Sequence, residues 1–436
     1  MEGCGRNVDN LVVLCLLGDP ALPAASIAHT GGFQVDIQEL LASIQNPGCT
    51  VHIITNTSKY CPAQYEETGQ FIIHRVYFEP GWLADQNSMM EHFQTIETDV
   101  FRILRDFSPE HTLIHSFYWL SGIIAKDAMR AFRISYVHSV VSLSIGKILA
   151  GASPKFTKQL EAEKEFLKNA SVIFSITEEE KRQLQDYYAI DGNRILVVGR
   201  GVHPVFLTPS HGVDGLPTRL NGDGTSPRPV ELMRHRWWTQ GAYTYVGRIE
   251  LLKGVPHIIA AWLRIYEKHG TKTPPLWICG GGPDSISRLR SQLSDDVDIR
   301  LLKECEEQQK IVWWGYLDPA GISTLFLKTR ILVTHSQYEP GGRVLLEALA
   351  ASIPVIATPN GFAKDMIRHG ENGFLVPYGQ IDALAAAMEY AMQNTRLLLE
   401  MKETARNTYM EHEKRWQCYQ QQFQVYQKLG LASFQQ

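Results

Sequence analysis

Two carboxylates eight residues apart, Glu339 and Glu347, bracket the run Glu339-Pro340-Gly341-Gly342-Arg343-Val344-Leu345-Leu346-Glu347. An apolar, strand-like stretch from Ile331 to Thr334 leads into it through a short polar loop, and Gly342 opens a helix with Glu347 a turn or so inside. Strand, glycine-rich turn and helix in that order offer free backbone N–H groups and a positive helix end to a phosphate. One glutamate then stands near the group held at the helix start, and the other lies further along the same bound molecule. That layout fits a nucleotide-activated substrate.

Other segments carry compatible chemistry. Gly247-Arg248-Ile249-Glu250-Leu251-Leu252-Lys253-Gly254 follows the strand-like Tyr243–Val246. Arg248 as a fork and Lys253 as a point charge would suit a diphosphate just beyond the carboxyl end of a strand; a helix start with two solvated cations is the plainer alternative. Gly280-Gly281-Gly282-Pro283 closes the strand-like Leu276–Cys279, and Gly282 lies where backbone would approach a phosphate. Its spacing is not that of the dinucleotide fingerprint, which argues against a Rossmann oxidoreductase. Near the start, His29-Thr30-Gly31-Gly32-Phe33-Gln34 leads into a helical stretch from Val35 to Ile44. Gly31 and Gly32 would let the chain run tight against a ligand; a flexible loop is the other reading. His115 and His138 stand at the ends of two strand-like runs, Thr112–Ser116 and Ile134–His138. Such histidines are more often structural than catalytic, but His138 ends its strand on the side where the other ligand-facing loops collect.

Positioning these groups requires more than one core. A chain of 436 residues implies two domains or more. Its 44% hydrophobic and 20% charged content is that of a globular enzyme. A net charge of −4 with a pI near 6.4 argues against a nucleic-acid partner and allows at most peripheral membrane contact. The seven scattered cysteines include no Cys-x-x-Cys pair, which points away from zinc and disulfide frameworks and towards a reducing, cytoplasmic setting. Leu11–Leu17 is too short for a membrane span and reads as a buried strand.

Strand-like runs at Leu11–Leu17, Val51–Thr55, Phe71–Val76, Thr112–Ser116, Ile134–His138, Val172–Thr177 and Ile195–Val198 alternate with helical stretches such as Met89–Phe107 and Ser121–Phe132. A second alternating series follows: Tyr243–Val246, Leu276–Cys279, Ile311–Trp314, Ile331–Thr334, Val355–Ala357 and Phe374–Val376. Alternation of this kind predicts mostly parallel α/β sheets. The expected division is residues 1–210, a linker or insertion at 211–240, and 241–411. A polar helical tail, Glu400–Leu429, carries Tyr409, Trp416, Tyr419, Phe423 and Tyr426, and is expected from about 412 to 436 to dock on the first half.

Together, the Gly-Arg-x4-Lys-Gly run, Gly280–Pro283, Gly315, the Glu-x7-Glu run, Asn360-Gly361 and Gly370–Val376 resemble the retaining glycosyltransferases of family four. Thr30-Gly31-Gly32, His115 to Gly122, His138 and Gly201-Val202 agree in the first half, so the likeness spans about Leu11 to Met392. The His115–Gly122 segment and the Gly31-Gly32 loop resemble those of members related to sucrose-phosphate synthase and to the N-acetylglucosaminyl-inositol-phosphate synthases. The resemblance implies a GT-B fold, two Rossmann-like domains facing across a cleft. It implies no required metal and no cofactor beyond a nucleotide-sugar co-substrate, with a UDP-sugar the donor expected, and a small-molecule or glycan acceptor. Arg248 and Lys253 would hold the diphosphate, Glu347 the ribose hydroxyls, and backbone around Tyr316 the base. Glu339 and the Gly341–Val344 turn would face the donor sugar and its phosphate, with His138 meeting the sugar from the opposite wall. A donor phosphate oxygen would take the acceptor proton in a same-face substitution.

The sequence also departs from the family. Gly341-Gly342 stands where Phe-Gly is common, and Arg343 replaces an apolar residue, adding positive charge beside the expected phosphate. Members with phosphorylated acceptors carry an arginine four residues before a helix glutamate; if Glu163 is that glutamate, the position holds Gln159, with Lys158 beside it, which argues against such an acceptor. A catalytically inactive nucleotide-sugar-binding or scaffold protein of the same fold is the alternative function.

Overall fold

A computed structural model describes residues 8–20, 32–44, 48–57, 64–69, 71–79, 86–151, 156–207, 241–293, 296–416 and 418–430. The expected loop residue Gly31 and the 211–240 insertion lie outside the described residues. The chain divides into two compact units, Met1–Arg200 with Trp416–Gln436, and Gly201–Arg415.

The first unit is built on β1 (Asn10–Cys15), β2 (Thr50–Asn56), β3 (Tyr65–Glu67), β4 (Ile72–Val76), β5 (Thr112–Phe117), β6 (Ser135–Ser139), β7 (Ile173–Ser175) and β8 (Ile195–Val197), in the order β3-β4-β2-β1-β5-β6-β7-β8. Pairing is parallel except at β3, a short antiparallel edge strand whose Tyr-Glu-Glu sequence gave no apolar signal. Val12 and Leu14 of β1 enter one buried cluster, while Leu11 and Val13 enter another. Strand side chains alternate between faces, so this split means that both faces of the sheet are covered.

The second unit holds β9 (Ala242–Val246), β10 (Leu276–Cys279), β11 (Ile311–Gly315), β12 (Thr329–Val333), β13 (Val355–Ala357) and β14 (Gly373–Leu375), all parallel, in the order β11-β10-β9-β12-β13-β14. The order reverses between β9 and β12. In doubly wound sheets that reversal opens a crevice beyond the carboxyl ends of the strands. The first unit reverses likewise between β1 and β5.

One helical expectation needs correction. Met89–Phe107 is two helices, Gln86–Glu91 and Phe93–Leu104. The tail is helical over Thr395–Trp416 and Cys418–Lys428. Continuous helical composition gave no sign of the break near residue 92. Tyr409 belongs to the second unit, whereas Tyr419, Phe423 and Tyr426 pack on the first unit's sheet. There Tyr419 donates to Glu39 Oε2 at 2.8 Å, and Tyr426 Oη lies 2.5 Å from His115 Nδ1.

Candidate functional site

In the second unit, the loops that leave β9 and β12 meet at the reversal of strand order. Lys253 ends a single 3-10 turn, Leu251–Lys253, and Gly254 follows in left-handed geometry (φ 69°) before the helix Val255–His269 begins. A Cβ on Gly254 would lie 1.9 Å from the His335 carbonyl oxygen, so only glycine lets the β9 and β12 loops close on each other. That closure brings Lys253 Nζ to 2.5 Å from Glu339 Oε2, a charge-assisted bond across 86 residues of sequence.

Glu339 is fixed from its other oxygen as well. Gly342 N donates to Glu339 Oε1 at 3.2 Å. Gly342 is itself left-handed (φ 42°) and caps the helix Arg343–Ala350. From the next strand, Asn360 Nδ2 donates to the Ser336 carbonyl at 3.0 Å, and Gly361 packs so tightly that a Cβ would meet the Glu339 carbonyl oxygen at 2.1 Å. Backbone approach therefore sets the position of Glu339, with its side chain 32% exposed and Lys253's 16%.

The other expected donor-site residues fall around this pair in different ways. Gly247 and Gly280 stand in contact, a Cβ on Gly280 falling 1.9 Å from the Gly247 oxygen. Gly282 caps the helix Pro283–Arg290 with open space where a Cβ would be. Tyr316, just after β11, is 39% exposed. Arg248 is not gathered with Lys253: it is 63% exposed and donates to Glu250 at 2.7 Å. Gly341 is buried and Val344 half-buried at the helix start. Glu347 is buried, and Arg343 Nη1 stands 3.8 Å from its Oε1. The positive charge of Arg343 thus lies along the helix near Glu347. An i, i+4 pairing was legible in the spacing.

Beside Lys253 and Glu339, His335 is fully buried and accepts a hydrogen bond at Nε2 from Gly379 N at 3.0 Å. Burial, with His257 adjacent, holds its pKa down at about 4. Neither histidine was singled out from the sequence, since each lies in a helical or loop segment with no motif of its own.

In the first unit, Gly32 begins the helix Gly32–Ser43. His138 is only 2% exposed, with burial lowering its pKa to about 3, so its imidazole is neutral. Ser116 Oγ lies 3.2 Å from the Val137 carbonyl oxygen and 2.9 Å from His138 Nδ1. The single Ser116 proton serves one of these two contacts, and the other ring nitrogen of His138 is left to the pocket. His138 lines a small pocket with Tyr118, Trp119, Ser142, Glu163 and Phe166. Tyr118 is held in left-handed geometry (φ 67°), unusual for an aromatic residue and costing on the order of 1–3 kcal/mol. His115, in contrast, is a structural group, engaged at both ring nitrogens by Tyr426 and Ser139.

Residues 239–408 match the family described as Glycosyl transferases group 1, and residues 31–201 the Glycosyl transferase 4-like domain. The chain belongs to these glycosyltransferases. The D-inositol 3-phosphate glycosyltransferase of Jonesia denitrificans is 23% identical over 404 residues, covering 91% of each protein. Among solved structures, sucrose-phosphate synthase from Thermosynechococcus elongatus superposes with a TM-score of 0.77 at 21% identity, covering 97% of this chain and 99% of that one. Anabaena HepE, in complex with UDP and glucose, gives 0.66 at 15% identity, covering 96% and 99%. The fold of this glycosyltransferase is GT-B. The Lys253–Glu339 pair lies within the stretch matched by the group 1 family, and the His138 pocket within the stretch matched by the 4-like domain.

Proposed function

We propose that this glycosyltransferase is a retaining enzyme that moves a sugar from a nucleoside-diphosphate donor, a UDP-sugar, to a hydroxyl of a small or glycan acceptor. The observation that carries the reading is the contact of Lys253 with Glu339 at the start of the helix Arg343–Ala350. A cation and a helix N-terminus converge there on one point, where charge develops on a departing diphosphate. Glu339 takes the lysine until a phosphate competes for it, and its carboxylate is then released towards the sugar. Glu347, buried on the same helix, receives the ribose hydroxyls. The UDP complex of HepE, a GT-B neighbour, favours uridine as the base.

No side chain is needed as a strong base if a donor phosphate oxygen takes the acceptor proton. The reaction is proposed to be metal-independent.

Thermal shift against UDP, GDP, ADP and the matching sugars tests the donor. UDP and one UDP-sugar are expected to raise the melting temperature by mass action, with turnover unchanged by EDTA and the product keeping the donor's anomeric configuration. A donor that binds but is neither hydrolysed nor transferred would instead support the inactive binding protein.

A further inference from the structure

We infer that His335 is a positioning residue for the donor: it ties the loops after β9, β12 and β14 together and so holds Lys253 where it meets Glu339. The inference rests on the reading of that charged pair as the contact of a donor diphosphate, and adds to it a residue outside the glycine-rich motifs.

Backbone and side chain of His335 are committed to different loops. The residue lies two positions after β12 and is fully buried. A Cβ on Gly254 would fall 1.9 Å from its carbonyl oxygen and 3.1 Å from its own Cβ, so His335 is the surface on which the β9 loop closes. Two residues on, Gln337 N donates to the Leu252 carbonyl at 2.8 Å, inside the 3-10 turn that ends in Lys253. Between them the Ser336 carbonyl accepts from Thr358 Oγ1 at 2.7 Å and from Asn360 Nδ2 at 3.0 Å, both just after β13. The imidazole reaches the other way. Its Nε2 accepts from Gly379 N at 3.0 Å in the loop after β14, and its ring stacks on Tyr378 with centroids 5.5 Å apart and planes 23° apart. His257, in the first turn of the helix Val255–His269, meets the same ring edge-on at 5.4 Å.

The chemistry of this ring is specific. Burial keeps it neutral. Because the Gly379 N–H donates, Nε2 holds the lone pair and Nδ1 carries the proton. That Nδ1–H is shielded from solvent with no hydrogen-bond partner among the described residues, and His257 Nδ1 is in the same state. A buried donor without a partner costs stability. A phenyl ring would fill the same space, keep the stacking on Tyr378 and remove the orphan donor, so packing alone favours phenylalanine here. What the imidazole adds is an acceptor at Nε2, placed for the Gly379 N–H. Pinned there, the ring cannot swing, and the backbone of residues 335–337 keeps its two contacts with the turn that presents Lys253.

Three variants separate positioning from packing. His335→Gln puts an amide oxygen at the reach of Nε2 and can still accept from Gly379; His335→Asn ends at the reach of Nδ1 and cannot; His335→Phe keeps only the ring. UDP and UMP are the probes, because only UDP carries the distal phosphate that a lysine at Glu339 would meet. In His335→Phe the melting temperature is expected to stay within about 3 °C of the unaltered protein. The dissociation constant for UDP is expected to rise about tenfold and that for UMP less than about twofold. Gln should bring UDP binding back to within about threefold, and Asn should not. Equal losses for both nucleotides, no loss for either, or Asn ranking with Gln overturns the inference. Hydrogen exchange supplies a readout that needs no ligand: in His335→Phe the amides of residues 336–339, as well as those of 378–380, are expected to exchange at least about tenfold faster. Faster exchange confined to 378–380 also overturns it. If the unaltered protein binds neither nucleotide, the donor reading fails, and the exchange result still decides whether His335 couples the loops.

Discussion

The two units reach the same topological solution and fill it with opposite chemistry. Each sheet reverses strand order, between β1 and β5 in one and between β9 and β12 in the other. At the second reversal the loops are closed by glycines, Gly254 and Gly361 among them, and what they bring together is a charged pair, Lys253 and Glu339. The first unit's pocket, beside β5 and β6, is instead lined by side chains: a tyrosine in left-handed geometry, a neutral histidine and a carboxylate surrounded by neutral donors. Where the turn is glycine, the ligand can be gripped by backbone and charge, as a phosphate requires. The first unit's pocket is instead walled by the side chains of Tyr118 and His138, so its chemistry is set by side chains and not by backbone.

The sharpest break in this comparison is removal of the charge on one side only. Lys253→Ala is expected to lower kcat by roughly 10²-fold or more while leaving the fold intact, because the lysine stabilises charge that appears in the transition state. Its partner Glu339 is one-third exposed, so water can solvate the carboxylate left behind. Near-normal turnover in this variant would show that the charged contact is structural and that the two units do not differ as argued.

The glycine construction can be broken next. Gly254→Ala adds a Cβ within 1.9 Å of the His335 carbonyl at a φ of 69°. Backbone must move, and the expected loss is about 3 kcal/mol of stability in the second unit, combining overpacking with left-handed strain. Calorimetry should show a lowered transition there, with donor KM raised because Lys253 and Glu339 no longer meet. A variant with unchanged melting and unchanged KM would mean that the β12 loop yields cheaply.

Much of this was readable from residue order alone. Among the described residues, apolar runs gave thirteen of the fourteen strands, because a parallel sheet buried on both faces needs continuous apolar sequence. The strand missed, β3, is an exposed edge with no such need. The glycine-rich turns and their carboxylates were visible because left-handed geometry and close backbone approach restrict the residue type. Contacts across long sequence separation were not. Nothing in the order of residues says that Lys253 bonds to Glu339 or that Tyr426 reaches His115. The break between the helices Gln86–Glu91 and Phe93–Leu104 was equally silent, since helix formers continue through it.

Arg343 sharpens the contrast at its finest grain. At the head of the helix proposed to face the donor phosphate, Arg343 lies 3.8 Å from Glu347, with both side chains about nine-tenths buried. At that separation the guanidinium steers the carboxylate by charge without a hydrogen bond between those two atoms. Its effect should therefore reach the donor through the ribose and leave the reacting phosphate alone. Arg343→Leu is expected to raise the donor KM by roughly 3- to 10-fold with kcat within about twofold, the mark of lost ground-state binding. Arg343→Lys should recover part of that loss, since charge matters here more than the planar fork. A fall in kcat at constant KM would place the arginine on the departing diphosphate after all, and the second unit would then hold its phosphate with two buried cations in place of one.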